Sequence, residues 1–119
     1  MEIQGKAKRL RIYISTTDKA GHELLTEYLV KIAYQQGLAG ATVCRGMAGF
    51  GASSVIHSYK FWEIADKVPA IVEIIDNEDK IATYYQTVRE LLAGMRYGCL
   101  VTCEAVDILL YKAGNRKLI

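Results

Sequence analysis

No stretch of this 119-residue chain approaches the ~18 or more uninterrupted apolar residues that a membrane-spanning helix requires. Residues Met1 to Arg11 carry charges where a secretory signal has its apolar stretch. The chain is therefore expected to stay in the cytoplasm, with no direct insertion into a membrane. Cys-x-x-Cys spacing is missing as well. Cys44, Cys99 and Cys103 are odd in number, and two of them stand in strand-like runs. That pattern argues against a disulfide framework and predicts reduced thiols packed in the core. His57 has no second histidine at ligand spacing, and His22 lies far away, so no metal site is expected. Charge of one dominant sign is also lacking: a net charge of +2 falls far short of the basic footprint of a nucleic-acid binder.

What remains is the composition of an ordinary globular domain, 51% hydrophobic against 24% charged. A single domain over residues 1–119 is expected, with its core over about 7–111, a loop over about 49–68 and a C-terminal tail at 112–119. Leu10, Ile12 and Ile14 alternate with Arg9, Arg11 and Tyr13, the period of a half-buried strand. Thr16, Thr17 and Asp18 then offer turn and cap chemistry. Leu24, Leu25, Tyr28, Leu29, Ile32 and Ala33 recur at helical spacing until Gly37, with Glu27 and Lys31 forming an i,i+4 pair on the wet face.

Ala39 to Gly46 reads as a second strand, after which Gly46, Gly49 and Gly51 interrupt any regular element. Pro69 opens a third strand through Asp76, a position where proline forfeits no ladder hydrogen bond. Asp76 or Asn77 caps a second helix whose stripe is Ile81, Tyr84, Tyr85, Val88, Leu91, Leu92 and Met95. Gly94 and Gly98 end it, and Leu100 to Tyr111 supplies the last strand. The order is βαββαβ: an α+β, ferredoxin-like domain with an antiparallel sheet and both helices on one face. In that arrangement the first and third strands are neighbours, and Arg11 pairs with Glu73 on the uncovered face. Exposed aliphatic strand residues among paired charges mark that face as a subunit contact.

The most distinctive segment runs from Gly40 to Ser54: Gly-Ala-Thr-Val-Cys-Arg-Gly-Met-Ala-Gly-Phe-Gly-Ala-Ser-Ser. Together with Leu10-Arg11-Ile12-Tyr13-Ile14 and Val72-Glu73-Ile74-Ile75-Asp76, it resembles the PII-like family catalogued as domain of unknown function 190. The resemblance covers residues 7–109. It implies a PII-like fold, a homotrimer and a loop at about 49–68 that contacts a regulated transporter or enzyme, but no known reaction. PII proteins bind adenine nucleotides between subunits, yet their phosphate-binding signature after the second helix is not matched. Ala93-Gly94-Met95-Arg96-Tyr97-Gly98 stands there instead.

Two readings of the glycine-rich segment stand side by side. In one, backbone N–H groups at Gly46, Gly49 and Gly51 approach an anion, Arg45 and Arg96 supply charge, and Ser53 and Ser54 add donors. In the other, the glycines only permit a turn, and Arg45 pairs with Glu73 or Glu104. Phe50 either stacks on a base or pins the loop. Tyr59, Phe61, Trp62 and Ile64 either pack on the core or meet a partner.

The expected function is a PII-like sensor of a small anionic metabolite or adenine nucleotide. A small enzyme is the alternative, but the sequence shows no nucleophile–base–orienter set, and Cys44 with His57 is a pairing by sequence proximity only. An RNA-recognition module shares the element order, but Phe50 follows the second strand, whereas stacking aromatics belong on the central strands.

Overall fold

Leu10, Ile12 and Ile14 are all buried in β1 (Gly5–Ser15), while Arg9, Arg11 and Tyr13 between them stay half-exposed. The computed structural model describes residues 5–47, 49 and 68–114. After β1 come a short hairpin of β2 (Lys19–Ala20) and β3 (Glu23–Leu24), helix α1 (Leu25–Gln35) and β4 (Thr42–Arg45). Then follow β5 (Pro69–Asp76), helix α2 (Glu78–Gly94) and β6 (Leu100–Ile108).

The main sheet has the order β4-β5-β1-β6, with every neighbouring pair antiparallel. Apart from the added hairpin, this is the ferredoxin-like α+β fold that the sequence predicts. The core lies between the sheet and the helices. Leu10, Ile12, Ile14, Ala70, Val72 and Ile74 meet Leu25, Leu29 and Ala33 from α1 and Ile81, Tyr84, Val88 and Leu92 from α2. The spacing of the helical residues is the three-and-four rhythm of one buried face. Each such large aliphatic side chain contributes about 1.5–3 kcal/mol by leaving water. The Tyr84 hydroxyl donates to the Leu29 carbonyl at 2.9 Å, tying the helices together, and burial pushes its pKa well above the usual tyrosine range.

Gly37 stops α1 as its position suggests. It adopts φ +73°, its N–H reaches the Tyr34 carbonyl, and the Leu38 N–H reaches the Ala33 carbonyl, which is the Schellman pattern. At the other end of α1 the expectation is corrected. The helix begins at Leu25, where no side chain caps it. Asp18 instead folds into the turn after β1: its Oδ2 accepts the Ser15 N–H at 3.0 Å, and its carbonyl accepts the Leu25 N–H at 2.8 Å. Lys31 pairs with Glu23 at 2.5 Å rather than with Glu27, and its ammonium lies 5.4 Å from the Tyr28 ring.

Two further expectations are revised at the sheet edges. Cys44 and Cys103 are exposed, because β4 and β6 are the outermost strands; Cys99 is partly buried. The last strand ends at Ile108, not Tyr111, and Leu109, Leu110 and Tyr111 are exposed. No helix among the described residues is long and apolar enough to cross a membrane.

The face opposite the helices carries the charged rows. Thr42, Glu73, Arg11 and Thr102 line up across the four strands, and Cys44, Ile71, Tyr13 and Leu100 form the next row. Arg11 Nε donates to Glu73 at 2.7 Å, the pair read from the sequence. One row away, Arg9 grips Glu104, with its Nε at 2.9 Å.

Candidate functional site

β1, β4 and α2 finish, and β5 and β6 begin, at the same end of the sheet. The register shows this directly: Ser15 faces Pro69, Tyr13 faces Leu100, and Arg45 faces Ala70. Antiparallel pairing therefore puts Arg45, Gly46 and Gly49, after the edge strand β4, and Arg96, before the opposite edge strand β6, at the same end of the sheet but at its two edges. Phe50, Gly51, Ser53 and Ser54 lie outside the described residues, as do His57, Tyr59, Phe61, Trp62 and Ile64.

Gly46 continues the ladder by one bond, its N–H donating to the Pro69 carbonyl at 2.7 Å. A Cβ at Gly46 would stand 3.3 Å from that carbonyl oxygen, closer than ordinary packing. Gly49, at φ +150°, presses on the same proline: a Cβ there would come within 3.2 Å of Pro69 Cγ. Close approach to Pro69 thus accounts for both glycines, a structural reason that leaves Arg45 exposed at the rim beside them. Glu73 is paired with Arg11, and Glu104 with Arg9.

A second group forms around the turn after β1. Thr16 N–H donates to the Val68 carbonyl at 2.9 Å and Thr16 Oγ1 accepts the Val68 N–H at 3.2 Å, so the turn is clamped to the residue just before β5. On its other side stand Arg96 and Tyr97. The Arg96 guanidinium lies over the Tyr97 ring at 5.0 Å from its centre, with Nη2 3.5 Å from the hydroxyl. That hydrogen bond holds the Tyr97 phenol below its ordinary pKa and Arg96 above its own; the Lys19 backbone N–H also lowers Tyr97, against burial and the Asp18 charge. Burial, and then Asp18, push the Cys99 thiol up, which keeps it protonated. Its Sγ sits 3.9 Å from the Leu92 carbonyl.

Sequence reading places Arg96 here but assigns no role to Tyr97 or Lys19. The Arg-Tyr adjacency was a signal for the first. A lysine on a two-residue strand gives none. Among the described residues, no group of three or more His, Cys, Asp or Glu is arranged to hold a metal ion.

The family model for domain of unknown function 190 (DUF190, "Uncharacterized ACR, COG1993") matches residues 7–108. The chain belongs to this family. Its DUF190 relatives include a UPF0166 protein of Aquifex aeolicus (strain VF5), 33% identical over 104 residues, or 87% of this chain and 94% of that protein. A UPF0166 protein of Methanocaldococcus jannaschii is 36% identical over 76 residues, covering 64% and 69%. Among solved structures, CPII from Thiomonas intermedia K12, bound to ADP and bicarbonate, superposes with a TM-score of 0.64 at 13% identity over 87% of this chain and 88% of that one. A candidate PII-like signaling protein from Thermus thermophilus gives 0.61 at 17% identity over 91% and 94%. This DUF190 chain therefore shares the PII-like fold.

Proposed function

We propose that this DUF190 protein is a cytoplasmic PII-like sensor. Three copies assemble, and an adenine nucleotide or another small anionic metabolite binds in the clefts between them. Residues 49–68 meet the regulated partner, a membrane transporter or an enzyme. The observation that carries the reading is the position of Arg45, Gly46 and Gly49 at the β4 edge and of Arg96 at the β6 edge of one end of the sheet, in a fold shared with a protein solved with ADP and bicarbonate. A guanidinium group beside closely approached backbone, as Arg45 stands beside Gly46 and Gly49, suits a phosphate or carboxylate, because arginine presents paired donors to such groups. The reading is one of sensing, with binding and no turnover. For a ligand to act as a signal it must bind one state of the protein more tightly than another.

Calorimetric titration of the assembled protein with ATP, ADP, AMP and cyclic AMP tests this. Saturable binding near one site per subunit, without hydrolysis, is the expected outcome. Arg45→Ala should weaken that binding about tenfold, the effect of one charge-assisted contact, while the protein stays folded. A flat titration with every nucleotide would detach the function from nucleotide sensing. An unchanged isotherm for Arg45→Ala would remove Arg45 from the site.

A further inference from the structure

β6 is an edge strand, and the helices leave part of its inner side open. Val101 and Cys103 stand opposite Ile12 and Leu10 in the register, so their side chains lie on the helix side of the sheet. Yet Cys103 is exposed and Val101 only half-buried. This leaves a groove of about 440 Å³ along α2 and β6, within the size range of small-molecule sites. Its apolar lining comes from Leu10 of β1, Ile81 and Tyr85 of α2, and Val101 of β6. Leu10 and Ile81 are buried, and Tyr85 is half-exposed.

Two opposite charges, Lys8 and Glu78, line the same groove and belong to one end of it. Lys8 precedes Leu10 on the same side of β1 and faces Asp76 in β5, and Glu78 opens α2 just after Asp76. The two do not pair with each other, and neither side chain has a hydrogen bond or an ion pair among the described residues. Both also line the adjoining depression that holds Lys6 and Asp107, so they stand at the boundary of the groove. Arg45 and Arg96 are at the opposite end of the sheet, and the face read as the subunit contact is its other side.

We propose that this groove binds a free amino acid with a large apolar side chain. Its carboxylate meets the Lys8 ammonium, its ammonium meets the Glu78 carboxylate, and its side chain lies against Ile81, Tyr85 and Val101. Charge complementarity selects this occupant. An amino acid carries a cation, an anion and an apolar group on one carbon, and the groove offers an unpaired anion and cation at one end of an apolar lining. A plain carboxylate or amine would leave one of the two charges unmet. The assignment does not rest on the nucleotide reading.

The test titrates the assembled protein with free leucine and phenylalanine, and with glycine, 4-methylpentanoate and isoamylamine as controls. Wild type should bind leucine or phenylalanine saturably and the three controls at least about tenfold more weakly, each control lacking one of the three contacts. Lys8→Met and Glu78→Gln, both surface changes, should each weaken amino-acid binding about tenfold. Ala82→Trp, on the exposed side of the groove, should fill it and abolish binding with both charges in place. No saturable binding of either amino acid by wild type overturns the assignment and leaves the groove to solvent or to another copy of the chain. Binding that neither charge substitution weakens overturns it too. So does 4-methylpentanoate binding as tightly as leucine, which would make the site one for a plain carboxylate.

Discussion

Asp76 closes β5 as a fully buried carboxylate, and its two oxygens each have a backbone partner. Oδ1 accepts the Asn77 N–H at 2.6 Å, at the start of α2, and Oδ2 accepts the Ala39 N–H at 2.9 Å, in the connection from α1 to β4. One side chain thereby ties a helix start to a crossover connection, and a buried acid is tolerated because both oxygens are bonded. Asp76→Ala would strip acceptors from two amides, with an expected loss of about 2–3 kcal/mol in urea unfolding. Asp76→Asn keeps one acceptor and should lose less. Equal stability of Asp76→Ala and wild type would show that water replaces both bonds. The sequence reading names Asp76 or Asn77 as the cap of α2, and the structure divides the role. Asn77 occupies the cap position without a side-chain bond, and Asp76 supplies the acceptor. That division depends on Ala39, 37 residues away, which no local pattern reports.

Elements with a long hydrophobic rhythm were legible from the sequence, and short ones were not. β5 and α2 run Pro69–Asp76 and Glu78–Gly94, as their alternation, proline, acidic start and glycine stop predict. The hairpin of β2 and β3 has two residues per strand, too few for any period, so Thr16 to Asp18 reads as a helix cap when the chain has a turn and a hairpin still to make. β4 is shorter than its sequence run, because an edge strand pairs on one side only and its residues Thr42 to Arg45 are all exposed. Its last tie to β5 is the Gly46 N–H to the Pro69 carbonyl, at 2.7 Å. Gly46→Ala would place a Cβ against that carbonyl, 3.3 Å away, and proline's backbone has little room to yield. The expected outcome is faster amide hydrogen exchange at residue 46 and a displaced Arg45, with exchange in β1 unchanged. Unaltered protection at residue 46 would show that the strand end absorbs the methyl group.

Among the described residues one face of the sheet carries no helix, and the chemistry of that face bears on the proposed trimer. Solvated surface needs no internal neutralisation of its charges, whereas a face destined for burial does, since an unpaired charge carried out of water costs several kcal/mol. Here Arg11 is bound to Glu73 and Arg9 to Glu104 within one chain. Between and beside these pairs lie Ile71, Tyr13, Leu100 and Ile75, with Leu100 more than half exposed in the single chain. Apolar rows flanked by self-neutralised charges suit contact with further copies of the same surface, as closed symmetric assemblies require. Tyr13 stands in a central strand of that face, outside the core cluster, so Tyr13→Asp should leave the fold intact. It would put a second carboxylate beside Arg11, already paired with Glu73, in the middle of the proposed contact face. Sedimentation analysis should find a trimer for wild type and a folded monomer for Tyr13→Asp, with nucleotide binding lost along with the clefts. A variant that stays trimeric would move the subunit contact to another surface. A wild type that sediments as a monomer would leave the charge pairs as ordinary cross-strand contacts and take the inter-subunit cleft away from the ligand.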